Sequence, residues 1–102
     1  MAFQKVGKVD DVPEGQSKVF EVGDRAIAVC NFEGKLYGIE DVCTHDGSSF
    51  DASGALIGCE IECPRHGARF DVTNGQPTEL PAVIPIDTFE VRVEGDDIEV
   101  NV

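Results

Sequence analysis

Two short stretches decide the fold of this chain, Cys43-Thr44-His45 and Cys63-Pro64-Arg65-His66. Each stretch places a histidine two or three residues after a cysteine, and seventeen residues separate His45 from Cys63. Two thiolates and two imidazoles on two loops make a four-ligand metal set. Chance proximity is a poor explanation, because the 102-residue chain has only two histidines and both lie beside a cysteine.

Two kinds of metal centre fit these ligands. Structural zinc sites also use two cysteines and two histidines, but their sequences usually group the two cysteines first and the two histidines second. Here each stretch has one cysteine followed by one histidine. This symmetry favours a two-iron cluster, with both cysteines on one iron and both histidines on the other. We therefore expect Cys43, His45, Cys63 and His66 to bind one [2Fe–2S] cluster, with a zinc-binding interaction module as the alternative.

The residues that follow each stretch extend this pattern. Residues 63–71 read Cys-Pro-Arg-His-Gly-Ala-Arg-Phe-Asp, and together with Cys-Thr-His they resemble the Rieske motif, C-x-H…C-x-x-H-G. The resemblance continues through Thr73-Asn74-Gly75 and through Leu80-Pro81-Ala82, which is similar to the proline loop that covers the cluster in Rieske ferredoxins. It spans about residues 41–82. The chain length also fits a stand-alone Rieske ferredoxin of the kind that serves aromatic-ring dioxygenases.

The resemblance implies a single-electron carrier, not an enzyme. Such a protein takes electrons from an NAD(P)H-dependent flavoprotein ferredoxin reductase and passes them to a terminal aromatic-ring-hydroxylating oxygenase, in aromatic hydrocarbon catabolism. An oxygenase would need a second iron site of two histidines and a carboxylate, and both histidines of this chain are already used. A Rieske subunit of another redox system, such as a nitrite-reductase-like one, stays open as an alternative.

Features of respiratory Rieske proteins are missing from the motif. Those proteins carry an extra cysteine in each loop and a hydroxyl residue after the second His-Gly, and the matching positions here are Ser48, Arg65 and Ala68. With these features absent and a net charge of −12, we expect a reduction potential at the low end of the Rieske range, about −150 mV.

Short alternating stretches outside the motif predict an all-β fold. Residues 89–93 and 98–102 alternate apolar and polar side chains, with a hairpin turn at Gly95-Asp96-Asp97 between them. A second hairpin is predicted from 26–30 and 35–39, with a turn at 31–34, and Gly54 and Asn74-Gly75 mark further turns. The predicted architecture is an antiparallel sandwich or small barrel in one domain, 1–102. Its loop-rich cluster-binding part covers about residues 41–85.

Charge and hydropathy limit the partners. A net charge of −12 and a pI of about 4.3 oppose binding to nucleic acids or to anionic lipid, and favour docking to a protein with a basic patch. The sequence shows neither an apolar leader nor a transmembrane stretch. We therefore expect a cytoplasmic monomer that does not bind membranes.

Several other residues of the chain have predicted structural roles. Cys30 and Cys59 are expected to be buried thiols, with Cys59 on the same strand face as Ile61 and Cys63. Phe70 is expected in the core. The glycines that follow the two motif histidines, Gly47 and Gly67, are expected to allow a positive φ or a close approach of the backbone to the cluster.

Overall fold

A computed structural model describes residues 2–51 and 55–102. In these ranges the chain forms ten short strands and a single turn of 3₁₀ helix. The strands are β1 (Phe3–Lys8), β2 (Ser17–Val22), β3 (Arg25–Phe32), β4 (Lys35–Glu40), β5 (Glu60–Glu62), β6 (Arg69–Asp71), β7 (Pro77–Glu79), β8 (Thr88–Phe89), β9 (Val91–Glu94) and β10 (Asp97–Asn101), and the 3₁₀ turn covers Val9–Asp11.

The strands form three antiparallel sheets, in the orders β1-β10-β9, β2-β3-β4-β8 and β5-β6-β7. The prediction of an all-β antiparallel fold is confirmed. Both predicted hairpins form, β9–β10 and β3–β4. The third sheet lies within the predicted cluster-binding part and carries the second motif stretch between β5 and β6.

The turn between β3 and β4 is shorter than the sequence predicted. It consists of Glu33 and Gly34, which have positive φ angles of 55° and 84°, as a two-residue hairpin turn requires. Asn31 stays in β3 and is buried. Its amide nitrogen donates to the Val12 carbonyl at 2.9 Å, and its amide oxygen accepts from the Gly34 N–H at 3.0 Å. The buried amide is satisfied and fixes the turn.

Strand β3 is buried on both faces. Consecutive side chains of a strand point to opposite faces, so β3 contributes to two hydrophobic clusters at once. The cluster shared with the β1-β10-β9 sheet, here called the base core, includes Ile27, Val29, Ile98 and Val100. The cluster under the two motif stretches, here called the loop core, includes Ala28, Cys30, Cys43, Ile61, Cys63, Phe70 and Ala82.

Phe70 and Cys30 are fully buried in the loop core, which confirms both predictions. The Phe70 ring meets the Phe50 ring edge to face, with centroids 5.9 Å apart. Cys30 lies in β3 beneath the motif loops, and burial raises the pKa of its thiol to about 12. The contact between the Phe50 and Phe70 rings stabilises the fold beyond the apolar area that it buries.

Two predictions about strand faces are wrong: a buried Cys59, and a core-facing Val93, which the alternation of residues 89–93 predicts. Cys59 is only half-buried because β5 starts at Glu60, so Cys59 lies in the preceding turn and does not share a face with Ile61. Val93 is 48% exposed, because β9 is an edge strand of its sheet and the base core does not extend over its whole length.

The turn predicted at Gly54 lies outside the described residues. In the ranges that the structure covers, no helix has the length and hydropathy that crossing a bilayer would need.

Candidate metal centre

The first motif stretch forms a closed six-residue loop, Cys43–Ser48, after β4. The Cys43 N–H donates to the Ser48 carbonyl at 2.8 Å, and the Gly47 N–H donates to the Cys43 carbonyl at 2.7 Å. Gly47 has a φ of 78°, a conformation that side chains with a Cβ rarely adopt. We call this segment loop 1.

The second stretch forms a loop with the same closure, Cys63–Ala68, between β5 and β6. The Cys63 N–H donates to the Ala68 carbonyl at 2.6 Å, and the Gly67 N–H donates to the Cys63 carbonyl at 3.1 Å. Gly67 has a φ of 75°. This segment is loop 2, and its backbone hydrogen bonds repeat those of loop 1 residue for residue.

The two loops bring the four predicted ligand side chains together. The thiol sulfurs of Cys43 and Cys63 lie within 4.8 Å of each other, and a ring nitrogen of His45 lies within 4.8 Å of one of His66. The two imidazole rings meet edge to face with centroids 5.1 Å apart. The donors therefore form a sulfur pair and a nitrogen pair, which is the arrangement that two different iron atoms would need.

Burial differs sharply between these pairs. Both cysteines are completely buried, whereas His45 is exposed and the His66 side chain is 48% exposed. Burial raises the pKa of the Cys43 thiol to about 11. A thiol with so high a pKa becomes a thiolate at neutral pH when a metal cation displaces its proton. The donor set and its burial fit a cluster with its sulfur ligands inside and its imidazole ligands at the surface.

Sequence reasoning missed Asp46, which follows His45 directly. A carboxylate oxygen of Asp46 lies within 4.8 Å of both thiols and, as a second grouping, of both imidazoles. Its Oδ2 lies 3.1 Å from Nδ1 of His66, and its Oδ1 accepts from the Ser48 N–H at 2.9 Å. The Ser48 backbone and side chain lower the pKa of Asp46 to about 2, so it is ionised at neutral pH. The sequence signal that could have identified Asp46 was its position directly after a motif histidine.

Loop 1 is held by buried and half-buried side chains. The Asp41 carboxylate, which is buried, accepts from the Phe50 N–H at 2.7 Å and from the Ser49 hydroxyl at 2.5 Å. The Thr44 hydroxyl donates to the Ile84 carbonyl at 2.6 Å. These bonds fix both the approach to loop 1 and its contact with the 80–86 segment.

The 80–86 segment, here called the proline segment, contains the cis peptide Leu80-Pro81. Its Ala82 and Ile86 pack into the loop core, while Leu80, Val83 and Ile84 are exposed. The segment is also tied to the turn at Gly75, whose carbonyl accepts from the Ile86 N–H at 2.8 Å. Pro81 is half-buried at the start of the segment.

A comparison with protein families decides the identity of this fold. Residues 2–90 match the Rieske [2Fe-2S] domain. The chain belongs to the Rieske [2Fe–2S] domain family. The predicted cofactor, one Rieske cluster, is confirmed at the level of this family.

Known Rieske proteins match the chain over nearly its whole length. It is 36% identical over 101 residues to the ferredoxin component of biphenyl 2,3-dioxygenase from Rhodococcus jostii RHA1, covering 99% of this chain and 94% of that protein. The ferredoxin of carbazole 1,9a-dioxygenase from Nocardioides aromaticivorans IC177 superposes with a TM-score of 0.90 at 32% identity, covering 98% and 97% of the two chains.

A third Rieske relative was solved with a partner. The ferredoxin in a complex of reduced oxygenase and oxidized ferredoxin in carbazole 1,9a-dioxygenase superposes with a TM-score of 0.86 at 35% identity, covering 96% of this chain and 91% of that one. All three relatives are ferredoxin components of dioxygenase systems. They confirm the prediction of a ferredoxin-type electron-transfer component rather than an enzyme.

Proposed function

We propose that Cys43 and Cys63 bind one iron of the cluster and that His45 and His66 bind the other. The observation that carries this proposal is the pairing of two buried thiols and two exposed imidazoles on two loops with identical backbone closure. A Rieske cluster supplies a centre that gains and loses one electron. The whole chain, 1–102, serves as one domain for this centre, with residues 41–85 as its cluster-binding part.

The protein side of electron transfer follows from the burial of the ligands. The loop core keeps water away from the two cysteines, and the imidazole edges of His45 and His66 are the ligand atoms that reach the surface. An acceptor that docks over the histidines therefore approaches the centre without opening the protein. The short turns and backbone bonds of both loops keep the ligands in place during the exchange.

We further propose two partners, a terminal oxygenase, which the names of the relatives suggest, and a reductase, which the resemblance to Rieske ferredoxins implies. A flavoprotein ferredoxin reductase would deliver the electron, and a terminal oxygenase of an aromatic-ring-hydroxylating system would accept it. The chain's net charge of −12 suits partners with basic docking faces, because complementary fields speed encounter. The cytoplasm, where thiols stay reduced, is the proposed compartment, and none of the four cysteines forms a disulfide.

Metal and sulfide analysis of the purified holoprotein tests the ligand proposal. We expect two irons and two acid-labile sulfides per chain, and reversible one-electron reduction with a potential of about −150 mV. One zinc per chain with no sulfide would instead support the interaction module. A coloured cluster that cannot be reduced and reoxidised would contradict the carrier function while leaving the ligand assignment in place.

A further inference from the structure

Seven of the chain's eight lysines and arginines have a partner inside the chain. Four pair with carboxylates, and the other three lie over aromatic rings. The carboxylate pairs involve Lys5, Lys8, Arg69 and Arg92, and the ring contacts involve Lys18, Arg25 and Lys35. Arg65 is the exception, because it has no hydrogen bond, ion pair or ring contact with any residue in the ranges 2–51 and 55–102.

This unpaired guanidinium lies in an acidic part of the chain. Residues 41–85 contain seven carboxylates and two arginines, Arg65 and Arg69. Arg69 contacts Glu60 and Glu62, and Asp46 contacts His66 and Ser48. Among the described residues, Arg65 is therefore the one exposed lysine or arginine without an internal partner, and it lies next to a proposed ligand in acidic surroundings. It also occupies the position in loop 2 that His45 occupies in loop 1, two residues after the cysteine.

Exposed apolar side chains lie next to both loops. Leu80, Val83 and Ile84 are 73%, 69% and 57% exposed. Because Arg69 pairs with Glu79 between β6 and β7, Leu80 continues alongside the end of loop 2, and the Thr44 hydrogen bond holds Ile84 against loop 1. A partner that covers these side chains also removes water from the surface around the histidines, which strengthens any ion pair formed there.

We propose that Arg65 determines acceptor specificity, by pairing with a carboxylate on the docking face of the terminal oxygenase while Leu80, Val83 and Ile84 make the surrounding apolar contact. The proposal rests on the proposed function. A planar guanidinium can bind a carboxylate through two parallel hydrogen bonds, so the pair sets orientation as well as attraction. The proposal requires a docking face on the oxygenase that is apolar at its centre and has one acidic group opposite Arg65. Basic groups at the edge of that face would lie opposite the carboxylates of this chain.

Stopped-flow electron transfer to an oxygenase tests the pairing. The probe is the terminal oxygenase of carbazole 1,9a-dioxygenase from Nocardioides aromaticivorans IC177 in its oxidised form, mixed with reduced holoprotein. One electron passes between the proteins and no bond forms or breaks. We expect Arg65→Gln to lower the second-order rate constant about three- to tenfold and Arg65→Glu to lower it further. Arg65→Lys should keep part of the wild-type rate.

The matched control is Lys35→Gln, which removes one positive charge at the opposite end of β4 from loop 1 and should change the rate less than twofold. A change in reduction potential cannot by itself explain a slower electron transfer in Arg65→Gln. Removing a positive charge near the centre disfavours the reduced state, so Arg65→Gln should donate its electron more readily, and a slower reaction must come from weaker docking. Equal rates for wild type, Arg65→Gln and Lys35→Gln would overturn the inference.

A second experiment measures how fast two small ions of opposite charge oxidise the reduced holoprotein. It distinguishes a failure of the Arg65 assignment from a failure of the proposed carrier function. Hexacyanoferrate(III) is an anionic one-electron oxidant and hexaamminecobalt(III) a cationic one. Arg65→Gln should react more slowly than wild type with the anion, but not with the cation. If wild type reduces neither the oxygenase nor these ions, the carrier function fails. If wild type reduces the anion and Arg65→Gln does so equally fast, only the assignment to Arg65 fails.

Discussion

Loop 1 and loop 2 have the same backbone but are held in different ways. Each closes with a cysteine N–H bonded to the carbonyl five residues later, and each has a positive-φ glycine at its fifth position. Loop 2 is the connection of the β5–β6 hairpin, so a backbone ladder supports it. Loop 1 follows β4 and depends on side-chain hydrogen bonds from Asp41 and Thr44.

The side chains at matched positions also differ in charge. The third and fourth residues are His45 and Asp46 in loop 1, and Arg65 and His66 in loop 2. The histidine is the third residue of loop 1 but the fourth residue of loop 2. The remaining position of this pair is the acidic Asp46 in loop 1 and the basic Arg65 in loop 2. The comparison teaches that the same backbone closure can present different side chains, which we propose serve as cluster ligands in both loops, as support in loop 1 and as a partner contact in loop 2.

The largest expected effect is loss of the cluster when either cysteine is removed. Cys43→Ala and Cys63→Ala should each purify without iron or sulfide, because each loop supplies one of the two sulfur ligands in the proposed set. Iron, sulfide and visible absorption measure the loss. Cys59→Ala is the control, since Cys59 is half-buried in the turn before β5, and it should retain the full cluster. Normal iron content in Cys43→Ala or in Cys63→Ala would contradict the proposal that each loop supplies one sulfur ligand.

Removal of the loop 1 support comes next. Asp41→Ala leaves the buried Phe50 N–H without its acceptor, and should lower the free energy of unfolding by roughly 2–4 kcal/mol. The matched change near loop 2 is Arg69→Ala, which breaks partly exposed ion pairs with Glu60 and Glu62 and should cost within about 1 kcal/mol. Anaerobic urea unfolding of the holoproteins gives both values. Equal costs would show that the two loops depend on side chains to the same degree.

Substitution of the two loop glycines probes the shared backbone. Gly47→Ala and Gly67→Ala should each cost about 1–2 kcal/mol, because both residues have a left-handed φ and neither has an atom within 4 Å of an added Cβ. Gly75→Ala should cost more than either, since its Cβ would also collide with the Ile86 carbonyl. Urea midpoints compare the three variants. A cost at Gly47 far above that at Gly67 would contradict the backbone equivalence.

The smallest effect concerns the opposite charges. Asp46→Asn keeps an acceptor for the Ser48 N–H but removes a negative charge near the centre, so it should raise the reduction potential by roughly tens of millivolts at pH 7. Arg65→Gln should lower the potential by a similar amount. Redox titration of the two holoproteins measures both shifts, and shifts of the same sign would rule out this electrostatic interpretation.

Much of this molecule follows from local sequence patterns. The spacing of two cysteines and two histidines predicted which side chains come together, and period-two alternation predicted the β9–β10 and β3–β4 hairpins. Both signals depend on neighbours in sequence. The glycines after the motif histidines were expected to need unusual backbone freedom, and both have positive φ.

Other features depend on contacts between distant residues, so local patterns could not predict them. The exposure of Val93 follows from its place on an edge strand, and the partial exposure of Cys59 follows from where β5 begins. The contact of Asp46 with His66 joins residues on two different loops. That Arg65 has no partner among the described residues follows only from the three-dimensional contacts of the other lysines and arginines.

The burial of β3 on both faces has a consequence for how the protein can be divided. A fragment that kept loops 1 and 2 but lost β3 would also lose Ala28 and Cys30 from beneath them. A fragment that kept only β3 and the loops would leave Ile27 and Val29 exposed to water. The two loops therefore cannot be separated from β3 without exposing part of the hydrophobic core. A smaller engineered carrier would have to retain this central strand and replace whichever covering layer it omitted.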